Sequence, residues 1–430
     1  MEKDIIETKN SLKMGFAEVD ITPSHRVETI GFGREDNMSR GVLKPLAAQV
    51  SVWQCGSECC CLTTIDHIGF SKEHGDCLRS MIGEELGIDV QKVMLCFSHG
   101  HSCPNESASV EYFDFLCSRV KKAAGEAAGN LVQVRAGWSN AIVDIGLNRR
   151  GSGGALDRRA GIFKVCEAGS DKVKLLLFRL TAHCNVLKAD NYLISPDYFG
   201  AVRDRFREEY GCPVMVVQGA AGNVAPKFFK SELNPPDAAD ERFIRSDHAL
   251  EEMAEEVFSR GKPVIESMKM QPEAMLSMYS RRITLTAQVP SMAEAEAIAA
   301  DAEHYCGIDG TAWIEEVRRL RADGVEEQME EIEVQYFYLS NGCLCGVANE
   351  VMVEFALHIE KSLRNEMFYF NGYTNGCTGY FPTEEEFDLG GYEVYWSMVI
   401  YYIYHGRVYP LKRESASRLM DFVVEHSMAG

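Results

Sequence analysis

Short apolar runs alternate with amphipathic stretches along much of the chain, and three times they do so in the same order. The first series runs from Cys59–Asp66 through a helical pattern near 73–86 to Val93–Phe97. The second runs from Val173–Thr181 through Asp197–Tyr210 to Val214–Val217, and the third from Cys343–Val347 through 351–364 to Met367–Phe370. Apolar strand, polar turn, amphipathic helix and apolar strand at this length call for parallel pairing with a right-handed crossover. The pattern therefore predicts an α/β layered sandwich with a mainly parallel or mixed sheet and helices on both faces. Between the second and third series, about 237–330, Asp237–Arg260 and Met292–Glu330 are rich in Ala, Glu and Arg with apolar residues at helical spacing. They predict solvated helices packed on the sheet. Asn234-Pro-Pro-Asp237 breaks a helix without marking a boundary. A single domain over 13–410 is expected, with 411–430 as its C-terminal helix.

Composition narrows the partners. Hydrophobic residues at 46% and charged residues at 25% describe an ordinary globular chain. Acidic residues outnumber basic ones, 64 to 44, for a net charge of −20. Nucleic-acid binding is excluded as a main activity, since that affinity rests on Lys and Arg at phosphates. An anionic membrane would repel the chain, so no stable membrane association is expected. The greasiest stretch, Val394–Tyr404, falls short of the roughly 20 apolar residues that span a bilayer. The first ten residues lack the basic and apolar regions of a signal peptide. Fifteen cysteines, an odd number, then read as reduced thiols in a cytoplasmic protein. Cys59, Cys60 and Cys61, with Cys55 nearby, lie in a strand-like segment whose side chains alternate faces, so the three cannot converge on one ion.

In an open α/β sheet, ligands bind beyond the carboxyl ends of the strands. Those ends carry Ser98-His-Gly-His101, Thr181-Ala-His183, Gln218-Gly-Ala-Ala-Gly-Asn223, Ala348-Asn-Glu350 and Asn371–Tyr380. On extended backbone His99 and His101 point the same way and can share a site. The pair alone is weak, because eleven histidines give such a spacing by chance roughly a quarter of the time. His183 alone would also suit a hydrogen-bonded core position. Glu350 is harder to place innocently, since an unpaired buried carboxylate is very costly. Two His nitrogens and one Glu oxygen with an open position form a known catalytic zinc set.

Read in order, these blocks resemble the catalytic domain of the neutral/alkaline (non-lysosomal) ceramidase family. Met14-Gly-Phe-Ala-Glu-Val-Asp-Ile-Thr-Pro23 matches the family's opening, and Ser98-His-Gly-His-Ser-Cys-Pro104 resembles its Thr-His-Thr-His-Ser-Gly-Pro. Leu147-Asn-Arg149, Thr181-Ala-His183, Gln218–Pro226, Val347–Glu350, Tyr380–Thr383 and Gly391–Glu393 follow in the family's order over roughly 13–410. The resemblance implies one zinc per chain, held by His99, His183, Glu350 and Tyr380. It implies catalytic roles near the scissile amide for His101, Arg149 and Tyr392. A surface ion pair for Arg149 and a core aromatic for Tyr392 are the plain alternatives.

Three departures bear on mechanism. The family's Gly-Asp-x-Ser-Pro is Gly222-Asn-Val-Ala-Pro226 here, so no hydroxyl nucleophile stands at position 225. Pro-Gly-Glu has become Ala348-Asn-Glu350, and a Gly has become Cys103. The chain ends at 430, and no C-terminal immunoglobulin-like domain is expected. With the acidic charge, these features favour a zinc-dependent amidohydrolase acting on the amide or ester bond of a small, soluble acylated substrate. A catalytically silent metal- and ligand-binding relative, or a non-hydrolytic zinc enzyme, are the competing expectations.

Overall fold

Two antiparallel strands are involved in each unit before its strand–helix–strand segment, so the repeating element is larger than its apolar runs suggest. The computed structural model describes residues 11–150, 154–233, 241–270 and 275–428. Its first unit comprises β1 (Lys13–Asp20), β2 (Ala47–Cys55), β3 (Glu58–Ile65), helix α1 (Lys72–Leu86) and β4 (Val93–Phe97). β1 to β3 pair antiparallel and β3 with β4 parallel. Helix α2 (Val110–Gly129) follows. The second unit repeats the pattern with β5 (Val132–Ile142), β6 (Arg159–Glu167), β7 (Val173–Leu180), α3 (Asp197–Tyr210) and β8 (Val214–Gln218). Helix α4 (Ala249–Ser267) leads to the third: β9 (Leu276–Gln288), the inserted helices α5 (Met292–Cys306) and α6 (Thr311–Ala322), β10 (Glu327–Leu339), β11 (Gly342–Gly346), α7 (Val353–Leu363) and β12 (Phe368–Asn371).

The sheets are thus mixed, and antiparallel pairs outnumber the parallel ones that the three crossovers supply. Units one and two join through β1 and β5 into an eight-stranded sheet, β4-β3-β2-β1-β5-β6-β7-β8. The third forms a separate four-stranded sheet in sequence order. The two sheets pack face to face around Trp53, Leu62, Phe163, Leu177, Phe337, Leu344 and Tyr369. Helices α1 and α2 cover one half of the large sheet, α3 and α4 the other half. Helix α7 and the C-terminal helix Ser415–Glu425 cover the small sheet. Both faces of the central strands are therefore buried, which explains their apolar runs without alternation. Cys60 and Cys61 show the geometry plainly: the first packs between the sheets, the second under the helices. All fifteen cysteines are free.

The stretch expected to be helical contains α4, α5 and α6, but β9 lies within it and β10 begins at Glu327. Residues 237–240 lie outside the described ones. A buried polar link joins each pair of units: Arg203 Nη1 with Asp66 Oδ1 at 2.7 Å, Arg79 Nη1 with Glu333 Oε2 at 2.7 Å, and Arg179 Nε with Asn371 Oδ1 at 2.9 Å.

Candidate metal centre

One chain segment from each unit delivers a side chain to the same place. Beyond β4, Ser98 donates its N–H to the Ile65 carbonyl, and His99 then turns with φ +59°. That left-handed backbone costs a residue with a Cβ roughly 1–2 kcal/mol. Beyond β7, His183 is fixed by its own N–H on the Val224 carbonyl. Beyond β11, Glu350 opens a two-residue strand that pairs in parallel with Tyr380–Phe381, directly opposite Tyr380. Gln218, at the end of β8, donates to the carbonyls of both Ser98 and Ala182 and so ties two of these loops together.

Each imidazole is anchored in the same sense. Nδ1 of His99 lies 2.7 Å from the Ile68 carbonyl, that of His183 2.7 Å from Ala221, and that of His101 2.9 Å from Gly31. A carbonyl only accepts, so Nδ1 carries a proton in all three rings, and in a neutral ring Nε2 is then a bare lone pair. Gly31 permits this approach, since a Cβ there would fall 2.7 Å from His101 Nδ1. His99 Nε2 is 3.1 Å and His183 Nε2 3.5 Å from Glu350 Oε2. The ligand atoms of His99, His101 and His183 lie within 4.8 Å of one another. Nε2 of His101 and His183 and Oε2 of Glu350 are buried without a hydrogen-bond partner.

Lone pairs crowded together in this way repel one another and lack solvation, at about 1–3 kcal/mol for each unsatisfied group. A cation resolves the conflict, and nitrogen with carboxylate oxygen is a zinc-type donor set. The protonation states agree. Burial, with Arg149 next, pushes His183 down to about 4, and burial with His99 and His183 pushes His101 well below the ordinary imidazole range. Neutral imidazoles and an ionised carboxylate are what a metal requires.

Arg149 follows the short strand Gly146–Asn148, which pairs with Val224–Pro226. Its Nη2 donates to the Gly222 carbonyl at 2.8 Å and to the Tyr380 hydroxyl at 2.9 Å, and its Nε faces Glu393 at 2.8 Å. Burial opposes the guanidinium charge, yet Tyr380 and Glu393 outweigh it and hold the proton more tightly than usual. Tyr392 meets Tyr380 edge-on, with ring centroids 5.8 Å apart. The structure thus brings Glu350, Tyr380, Arg149 and Tyr392 into one contiguous group beside the histidines.

Three neighbours were not singled out as site residues. The Tyr373 ring packs on His99 at 4.3 Å, and Cys377 Sγ lies 3.9 Å from both His99 Nδ1 and Glu350 Oε1. The Tyr401 hydroxyl lies 3.1 Å from Glu350 Oε1. Tyr373 and Cys377 fall in the polar segment after β12. Tyr401 belongs to the apolar run 394–404 and carries no chemical signal there. Asn223, where the family has Asp, accepts from Val353 N–H and donates to Glu354 Oε2 at 2.8 Å. An Asp would set two carboxylates against each other there, so the amide suits Glu354. Two clefts lie elsewhere, one of about 430 Å3 beside Lys44, Asp190 and Leu250 and one of about 230 Å3 beside Glu333, Asn375 and His405. Neither contains the convergent donors.

No protein-family profile matches the sequence, and the comparison with curated proteins finds no match. Solved structures do resemble it. Neutral ceramidase from Pseudomonas aeruginosa superposes with a TM-score of 0.72 at 16% identity, covering 98% of this chain and 74% of that one. A structure described as ceramidase complexed with C2 gives 0.71 at 14%, covering 98% and 75%. At these identities the likeness shows the fold, which is the ceramidase fold the sequence blocks resemble.

Proposed function

We propose that the protein is a zinc-dependent hydrolase that cleaves an amide or ester bond of an acylated small molecule. The observation that carries this is the set of imidazoles anchored through Nδ1, their Nε2 atoms gathered at the buried Glu350 carboxylate and those of His101 and His183 without a hydrogen-bond partner. In this reading a single domain over 13–410 holds one zinc through His99, His183, Glu350 and Tyr380. When bound, zinc polarises a carbonyl and lowers the pKa of water toward about 7.

The chain's own residues supply the rest. His101, neutral and with Nε2 free, takes the proton of the attacking water and returns it to the leaving nitrogen or oxygen. Arg149, permanently charged, and Tyr392 donate to the oxygen that gains charge as the carbonyl becomes tetrahedral. Ala225 offers no hydroxyl, so water attacks directly and no acyl-enzyme forms at that position. The net charge of −20 supports a dispersed substrate over one embedded in an anionic membrane. No helix among the described residues is long and apolar enough to cross a membrane. Fifteen free thiols support a cytoplasmic location.

The test is zinc content of the purified protein, with turnover of N-acyl amino acids and acyl esters before and after chelation. One zinc per chain and zinc-dependent hydrolysis are expected. A folded protein that is metal-free and indifferent to added zinc would falsify the reading. Zinc binding with no turnover across the panel favours the silent relative, for which Ala225 speaks.

A further inference from the structure

The two oxygens of Glu350 are not equivalent. Oε2 faces the imidazoles and has no hydrogen-bond partner. Oε1 lies 3.1 Å from the Tyr401 hydroxyl, with Cys377 Sγ at 3.9 Å. A carboxylate only accepts, so the phenol is the donor. We infer that Tyr401 is a positioning residue: its hydroxyl caps Oε1 of Glu350, leaving Oε2 alone to face the metal and holding the carboxylate to one-oxygen binding. This rests on the metal reading above and adds to it a second layer that none of the sequence motifs contains.

The phenol is held from both sides. Tyr401 lies on the helix Met398–His405, whose buried Val399 packs with Trp313, Val317 and Ala299 of the inserted helices α5 and α6. The insertion in the third unit thus has a use: it fixes the helix that reaches Glu350. On the other side the main chain runs across the ring at Gly379, with φ +102°, where a Cβ would come within 3.1 Å of the Tyr401 ring. The Gly379 carbonyl in turn accepts the Glu350 N–H at 2.9 Å. One short stretch of chain therefore locks both the carboxylate and its cap.

The experiment compares zinc affinity, by chelator competition on the full chain, for wild type, Tyr401→Phe, Glu350→Gln and the double variant. Phe keeps the ring and removes only the donor. Tyr401→Phe should bind zinc about 10–100-fold more weakly, the usual cost of losing a partner of a metal ligand. In the Glu350→Gln background the same change should have little effect, within about twofold, because the carboxylate it orients is gone. Equal zinc affinity in wild type and Tyr401→Phe, or equal losses in both backgrounds, overturns the inference. An independent measurement needs no variant: the infrared difference spectrum of wild type with 13C-labelled Glu carboxylates, recorded on zinc loading. One-oxygen binding widens the splitting between the antisymmetric and symmetric stretches; a narrowed splitting means two-oxygen binding and overturns the proposal. Wild type that takes up no zinc removes the metal reading and this inference together, whereas zinc-replete wild type with an indifferent Tyr401→Phe removes this inference alone.

Discussion

His67 in the first unit and His183 in the second stand in corresponding places, each just past the third strand of its unit. Both are fully buried, and both lie near a buried Glu. They differ in what the main chain presents to Nδ1. For His183 it is the Ala221 carbonyl, which leaves Nε2 bare. For His67 it is the Gly69 N–H at 3.1 Å, which makes Nδ1 the acceptor and puts the proton on Nε2, facing Glu106 Oε2 at 3.4 Å. Glu106 is further occupied by the Ser107 hydroxyl and by His74 at 3.4 Å. The same residue type at the same point of a repeated unit thus carries its proton on Nδ1 in one case and on Nε2 in the other. The polarity of one backbone group makes the difference, a detail that sequence spacing alone does not carry.

The sharpest way to break this comparison is metal content. His183→Ala should lose nearly all bound zinc, and His67→Ala should retain one per chain; elemental analysis reads both, and a zinc-free His67→Ala erases the distinction. Next in size, His101→Ala should keep its metal while slowing any hydrolysis about 10²–10⁴-fold, as for loss of a general base. Retained turnover would remove His101 from the mechanism. A smaller effect belongs to Glu106→Ala, which removes the buried carboxylate facing His67 and His74 and should cost about 1–3 kcal/mol in urea unfolding with zinc content unchanged. The smallest is a pH dependence. Burial, outweighing Glu106, lowers His67, so the folded protein refuses a proton that the unfolded chain accepts. Its contribution is complete above the unfolded pKa of about 6.5 and declines below it, so the stability advantage of wild type over His67→Gln should shrink as pH falls from 7 to 5. An advantage that grows on acidification would show that His67 takes up the proton in the folded state.

The crossover helices were legible because amphipathic spacing is strong in α1, α3 and α7, and their bounds lie close to the expected ones. β9 was not. Its residues, Leu276–Gln288, are half polar because it is the edge strand of the small sheet, and helical patterns follow it. Beyond the strand-like segment around Cys55, the antiparallel strands that precede each crossover were hidden for a related reason: the pattern that stands out is the fully apolar one, and β5 and β9 expose part of a face. In the candidate site, residues at strand ends could be found by position. Tyr401 could not, since a tyrosine in an apolar helix looks like packing until the fold brings it to Glu350.

The threefold build of the molecule has a consequence for how it matures in the cell. Because His99, His183 and Glu350 each come from a different unit, no fragment made of one or two units contains the full set, and an intermediate lacking the third unit has no carboxylate to offer. On the zinc reading, metal capture would report on completed assembly, and docking of the last unit, with its links Arg79–Glu333 and Arg179–Asn371, would be the step that the ion pulls forward. A chain stalled during synthesis before Glu350 stays uncommitted however much zinc surrounds it.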